Sequence, residues 1–288
     1  MSALTVTIVQ TRLFWEDKEQ NLKMLEEKIT GIKERTEIIV LPEMFTTGFS
    51  MKPSSLSEKM DGQTIQWMKK ISSSKRAIIT GSIIIEEQGN YYNRLLWMLP
   101  TGEYGTYDKR HLFAYAGEHE HYKGGTKRLI ASVKGWRINL QVCYDLRFPV
   151  WARQQLLTLL PEEEEEVRNA LEQEADLSSV EEIEAPEYDI LIYVANWPER
   201  RIHAWKTLLQ ARAIENQCYV IGVNRVGNDG NEIYHSGDSM IVDPLGEILY
   251  SRSHDEDIFT MTIQQKKLEE IRARFPFWKD ADNFMLGG

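Results

Sequence analysis

The chain has 288 residues, 42% hydrophobic and 27% charged, with a net charge of -10 and only two cysteines. This is the balance of an ordinary globular protein able to bury a core without disulfides, and it excludes a disordered chain. Between Glu162 and Glu187 eleven glutamates and one aspartate face a single arginine, so the acidity is local and the near-neutral remainder offers no basic face for nucleic acid.

In chain order, Leu4 to Val9 reads as a strand with no basic leader before it. A cytoplasmic location is therefore expected, in keeping with two cysteines in unlike settings, Cys143 and Cys218. No apolar run approaches the roughly 20 residues that span a bilayer. Helical spacing over Lys18 to Arg35 leads into EIIVLPEMF, where Ile38 to Leu41 is a strand apolar on both faces. Pro42 halts it and leaves Glu43 at its carboxyl end. A helix is expected over Gln63 to Ser72 and strands over Ala77 to Ile85 and Arg94 to Leu99, with turn residues at Gln88-Gly89-Asn90 and Pro100-Thr101-Gly102.

Lys109 follows in GTYDKRHLF, among Tyr107, His111, Leu112 and Phe113. Partial burial beside a carboxylate would make it a fixed positive charge. The strand Arg137 to Val142 runs into Cys143 and a helix-compatible stretch. A thiol at such a turn, near a helix amino end, is expected to have a lowered pKa. Cys218, inside AIENQCYVIGV, reads as a core residue. Pro161 and the glutamates after it suggest a helix start within the acidic segment. Then come a strand at Ile190 to Ala195, a helix at His203 to Gln217, and strands at Tyr219 to Asn224, Ser239 to Val242 and Ile258 to Ile263. The fold class is α/β or a layered α+β relative. His119 and His121 come without cysteine or HExxH spacing, so no metal and no other cofactor is expected.

Glu43, Lys109 and Cys143 each stand after a strand, at the edge where side chains of layered α/β folds converge. In that order, LPEMF, YDKRHLF and VCYDLRFP resemble the Glu, Lys and Cys blocks of the nitrilase superfamily of carbon-nitrogen hydrolases. The likeness continues through IYVANWPERR, LLQARAIENQCYVIGVNRVG and HSGDSMIVDPLGEI. GEHEHY and FPFWKDADNF are most similar to the omega-amidase branch. The resemblance implies a four-layer α-β-β-α sandwich formed by a single domain over 1–288, with 155–186 as an acidic, helical insertion.

It also implies that Glu43 carries protons, Lys109 stabilises the tetrahedral intermediate and Cys143 is the nucleophile. The backbone amide of Tyr144 would share the oxyanion. A second glutamate is expected in the loop after the lysine, Glu118 in preference to Glu120. Trp197 would wall the site beside the cysteine. Arg200 or Arg201 would bind a distal carboxylate, whereas Asp145 and Arg147 would brace the nucleophile turn. The implied reaction releases ammonia from a monoamide of a small dicarboxylic acid, such as 2-oxoglutaramate or succinamate. A homodimer is expected, its contact near the helix after the cysteine and the helix at His203 to Gln217. The alternatives are an N-carbamoyl amidohydrolase or nitrilase with the same three residues, or an idle scaffold whose acidic insertion recruits a basic partner.

Overall fold

The computed structural model describes residues 2–154, 156–159, 183–282 and 284. Five strands, β1 (Ala3–Gln10), β2 (Ile38–Val40), β3 (Ile78–Glu87), β4 (Asn90–Met98) and β5 (Tyr104–Asp108), lie side by side in chain order. The first three are parallel, and β3 to β5 form an antiparallel meander through the two expected turns. β6 (Leu129–Val133) and β7 (Trp136–Val142) belong to a second sheet, and β8 (Leu156–Leu159) and β9 (Ile183–Pro186) form a separate antiparallel pair. β10 (Ile190–Ala195), β11 (Tyr219–Asn224), β12 (Val226–Asn228), β13 (Tyr234–Val242) and β14 (Ile248–Ser253) complete the second sheet. Its order is β12-β13-β11-β10-β7-β6, with β14 on β13, and β15 (Asp257–Gln264) returns antiparallel to β1.

Alternation explains why two sheets and two helical covers coexist, because successive side chains of a strand point to opposite faces. Ile38 and Val40 join Ile138, Leu140, Val142, Ile190, Ile192 and Val194 in a core shared by both sheets. Ile39 and Leu41 point the other way and meet Leu22, Leu25 and Ile29 of one helix (Lys18–Thr30) and Ile65, Met68 and Ile71 of another (Gln63–Lys75). On the second sheet Leu191 and Tyr193 face Trp205, Leu209 and Ala213 of the helix Ile202–Asn216. Each fully buried aliphatic side chain contributes roughly 1.5–3 kcal/mol. The layers are therefore helix, sheet, sheet, helix, as the resemblance implied.

The first helix is shorter than its spacing suggested: it ends at Thr30, with Gly31 as its C-cap, and Ile32 turns into the core. The stretch after Cys143 is a short 3-10 turn, Cys143–Arg147, followed by a one-turn helix, Pro149–Ala152, because Phe148 precedes a proline that redirects the backbone. Most of the acidic segment expected to be helical lies outside the described residues. Its two ends are strands, paired from Leu156↔Pro186 to Leu159↔Ile183.

Candidate active site

The parallel strands β2, β7 and β10 deliver Glu43, Cys143 and Asn196 to one edge of the molecule. Two of the connecting residues adopt left-handed backbone, Met44 with φ 43 and Cys143 with φ 47, a conformation that costs a non-glycine residue energy and persists only where surroundings fix it. Around Met44 the fixing groups are Ser82 Oγ, which accepts from the Met44 N–H at 2.9 Å, and the Ser82 carbonyl, which accepts from the Phe45 N–H at 3.1 Å. At the Cys143 turn Asp145 does this work. Its buried carboxylate accepts from the Val142 N–H, the His111 N–H and the Tyr107 hydroxyl, the last at 2.7 Å. Asp145 therefore braces the turn as expected.

Glu43 is fully buried. Its Oε1 accepts from Lys109 Nζ at 2.9 Å and from Asn93 Nδ2 at 2.8 Å, and its Oε2 accepts from the Asn196 N–H at 2.8 Å. Lys109 Nζ also donates to Glu118 Oε1 at 3.0 Å and Oε2 at 2.9 Å. An ammonium has three donors, so the carboxylates of Glu43 and Glu118 occupy them all. Burial alone would push the ammonium down, but Glu118, Glu43 and the Cys143 sulfur outweigh it and hold Lys109 above the ordinary lysine range. Burial, with Glu43 adding to it, raises the Glu118 carboxyl despite the lysine beside it. Glu118 is buried while its neighbour Glu120 is exposed, which settles which of the two faces the cluster.

Cys143 is half-buried, and its thiol lies within the influence of the Glu43 charge. The expected low thiol pKa is corrected here. Burial and then the Glu43 charge push the thiol well above its usual value, and Lys109 only partly offsets them. With a 3-10 turn of five residues instead of a long helix after it, no large dipole compensates.

The sulfur opens on a cavity of about 230 Å³ lined by Phe49, Phe113, Tyr144, Trp197 and others. Trp197 is almost fully buried and is held by its own N–H to Asn224 Oδ1 at 2.8 Å and by Nε1 to the Arg201 carbonyl at 2.8 Å. Tyr144 packs edge-on against Phe113, and its N–H follows Cys143 in the opening of the turn, where helical N–H groups lack internal partners. Arg200 and Arg201 both line the cavity, Arg200 exposed and Arg201 half-buried. Arg147 lines it too, with Cζ 5.0 Å over the Trp197 ring, so its place is the cavity wall and not the brace foreseen for it. Cys218 packs in the core behind the second sheet, as its sequence context implied. Among the described residues no group of three or more His, Cys, Asp or Glu forms a metal site, and no helix is long and apolar enough to cross a membrane.

Sequence reasoning missed Asn93, Asn196 and His235. Asn93 Nδ2 bridges Glu43 and Glu118, reaching the latter at 3.3 Å, and the available signal was a lone asparagine inside the apolar run YYNRLLWM. His235 is buried at the cavity wall with Nδ1 2.9 Å from the Ile233 carbonyl oxygen.

The family model for carbon-nitrogen hydrolases matches residues 5–157 and 172–273. The chain belongs to the carbon-nitrogen hydrolase family. This hydrolase is 40% identical over 287 residues to the omega-amidase YafV of Escherichia coli (strain K12), covering 99% of this chain and 100% of that one. It is 29% identical to the 2-oxoglutaramate amidase of Bacillus subtilis (strain 168), with 96% of each chain covered. Its structure is similar to that of XC1258 from Xanthomonas campestris, a CN-hydrolase superfamily protein crystallised with an arsenic adduct in the active site. The TM-score is 0.88 at 40% identity over 100% of both chains.

Proposed function

We propose that this carbon-nitrogen hydrolase releases ammonia from the terminal carboxamide of a small dicarboxylic acid monoamide, of the 2-oxoglutaramate or succinamate type, through a thioester on Cys143. One observation carries the mechanism: the buried Glu43 carboxylate holds the Lys109 ammonium at 2.9 Å, and both charges act on the Cys143 thiol. As Sγ attacks the amide carbon, Glu43 takes the thiol proton, which a raised thiol pKa keeps in place until attack. Glu43 then returns that proton to the departing nitrogen when the carbon-nitrogen bond breaks. Water, deprotonated by Glu43, opens the thioester and frees the acid.

With its donors occupied, Lys109 acts on the oxyanion chiefly as a charge in a dry site, and the Tyr144 N–H is the direct donor. Glu118 takes two of the three Lys109 donors, at 3.0 and 2.9 Å, so we assign it a holding role. Trp197 forms the wall that limits the acyl chain. The kinship with the omega-amidase YafV and with a 2-oxoglutaramate amidase supports this substrate class over N-carbamoyl compounds and nitriles.

The reading as one domain with an insertion at 155–186 is supported by the core shared between the sheets and by the break in the family match inside that segment. A homodimer is supported by exposed Val150, Ile214 and Leu245 on neighbouring elements, joined by Arg212 to the Leu146 carbonyl and Gln210 to the Gly246 carbonyl. Two free thiols fit a cytoplasmic setting.

Ammonia release from 2-oxoglutaramate, succinamate, an N-carbamoyl amino acid and a nitrile tests the substrate class, and intact-mass spectrometry tests the thioester. The expected result is turnover of the monoamides and a succinyl adduct absent from Cys143→Ala. Turnover confined to the nitrile or carbamoyl compound would overturn the reading, and equal slow alkylation of both thiols would favour the scaffold.

A further inference from the structure

Three arginines, Arg147, Arg200 and Arg201, converge on the cavity beside Cys143, and among the described residues none of them pairs with a carboxylate. The acidic group on that wall is Asp229, whose Oδ1 accepts from the N–H groups of Asn231 at 2.8 Å and Ile233 at 3.0 Å. Unpaired guanidiniums on an open surface cost little, since water solvates them. Arg201 differs because it is half-buried, and a cation taken from water without a partner is unfavourable. Burial, with Arg200 and Arg147 beside it, pushes the Arg201 guanidinium down, while the Cys143 sulfur acts to raise it. The guanidinium thus feels both the cationic wall and the nucleophile.

Its conformation is also fixed in advance. Cζ stacks 5.0 Å over the Phe113 ring, and the Arg201 carbonyl is anchored by Trp197 Nε1 at 2.8 Å. Phe113 in turn donates its N–H to Glu118, so the stacking platform belongs to the same framework as Lys109. A planar fork held this way loses little freedom on binding a carboxylate in bidentate fashion. At about 230 Å³ the cavity lies below the roughly 300–1,000 Å³ of sites for drug-sized ligands, which suits an acid of a few carbons.

We propose that Arg201, and not the exposed Arg200, binds the carboxylate remote from the scissile amide and selects short dicarboxylic monoamides over neutral amides. This inference rests on the amidase reading given above. Arg147 and Arg200 supply the surrounding positive field that draws the anion in.

Succinamate and butanamide share a four-carbon frame and differ in the remote group, so their kcat/KM ratio isolates the carboxylate. Wild type is expected to prefer succinamate. Arg201→Gln is expected to lose about 100-fold on succinamate and less than about threefold on butanamide, the size expected when a polar recognition partner is removed. Arg200→Gln is expected to change either substrate by less than about fivefold, and Arg201→Lys to recover part of the preference as a point charge without the fork. Protection of Cys143 from iodoacetamide by succinate, but not by butanamide, gives a readout independent of turnover, lost in Arg201→Gln and partly kept in Arg201→Lys.

A ratio unchanged in Arg201→Gln, an equal fall on both substrates, or a larger effect from Arg200→Gln would each overturn the assignment while leaving the amidase reading intact. A wild-type enzyme that turns over neutral amides as well as succinamate would instead overturn the substrate class, and the role of Arg201 with it.

Discussion

Asn196 holds Glu43 from two sides, its N–H donating to Oε2 at 2.8 Å and its Nδ2 to the Glu43 backbone carbonyl at 2.6 Å. Glu43 follows β2 of one sheet and Asn196 follows β10 of the other, so this pair locks the two sheets together at the carboxylate proposed to carry protons. Truncating Asn196 leaves the backbone donor in place but removes the second clamp. Asn196→Ala is expected to lower kcat by about tenfold with KM within about twofold, the pattern of a lost transition-state interaction. Urea denaturation should show about 1–3 kcal/mol of lost stability, the cost of depriving a buried carbonyl of its donor. Unchanged kcat with lowered stability would mean that the clamp serves only the fold.

Glu118 is the largest of the influences that keep the Lys109 ammonium charged against burial. A lysine pKa raised by folding keeps its favourable charge below the unfolded value of about 10.4 and loses it only as pH rises through the folded value. Wild-type kcat/KM should therefore hold its plateau to about pH 9. In Glu118→Gln the folded lysine pKa falls, and the alkaline limb should move toward neutral pH with a drop of about 10- to 100-fold in kcat. Superimposable pH profiles from pH 6 to 10 would rule out a holding role for Glu118.

His235 is pushed down to about 4, by burial first and then by the nearby Arg225. A histidine lowered by folding contributes stability that is present above its unfolded value of about 6.5 and is lost as pH falls through the folded value. Between those limits the shift corresponds to roughly 3 kcal/mol. Stability measured by denaturant titration should decline from pH 6.5 to 4 in the wild type, and the decline should be shallower in His235→Asn. Parallel curves for the two proteins would assign the acid sensitivity to other groups.

The ladder from Leu156↔Pro186 to Leu159↔Ile183 brings the ends of the acidic segment together, so residues 160–182 are replaceable by a two-residue Asn-Gly turn. Because Glu43, Lys109, Cys143 and Asn196 all lie outside that stretch, kcat and KM are expected to stay within about twofold. If the segment governs assembly, light scattering should report a changed mass for the shortened chain. Equal masses would remove that role.

The amino-acid order by itself determined the layered architecture, because strands such as Ile38 to Leu41 and Ile190 to Ala195 are apolar at alternate positions on both faces and so must be covered twice. It also marked Glu43 and Cys143 by the strands that end beside them, and the order of the LPEMF, YDKRHLF and VCYDLRFP blocks, through their resemblance to a known family, joined Lys109 to the pair. The strands β5, β6 and β14 escaped notice because they are short and mostly only part-buried, although Leu129, Ala131 and Val133 of β6 do pack against the shared core. Only the tertiary structure chose Glu118 over Glu120, recruited Asn93 and Asn196, and set burial and the Glu43 charge against the lowered thiol pKa expected at Cys143. It also set Arg201 apart from Arg200. Those outcomes depend on which groups meet across the chain and how much water remains between them, and neither quantity is written in the spacing of residues along one strand.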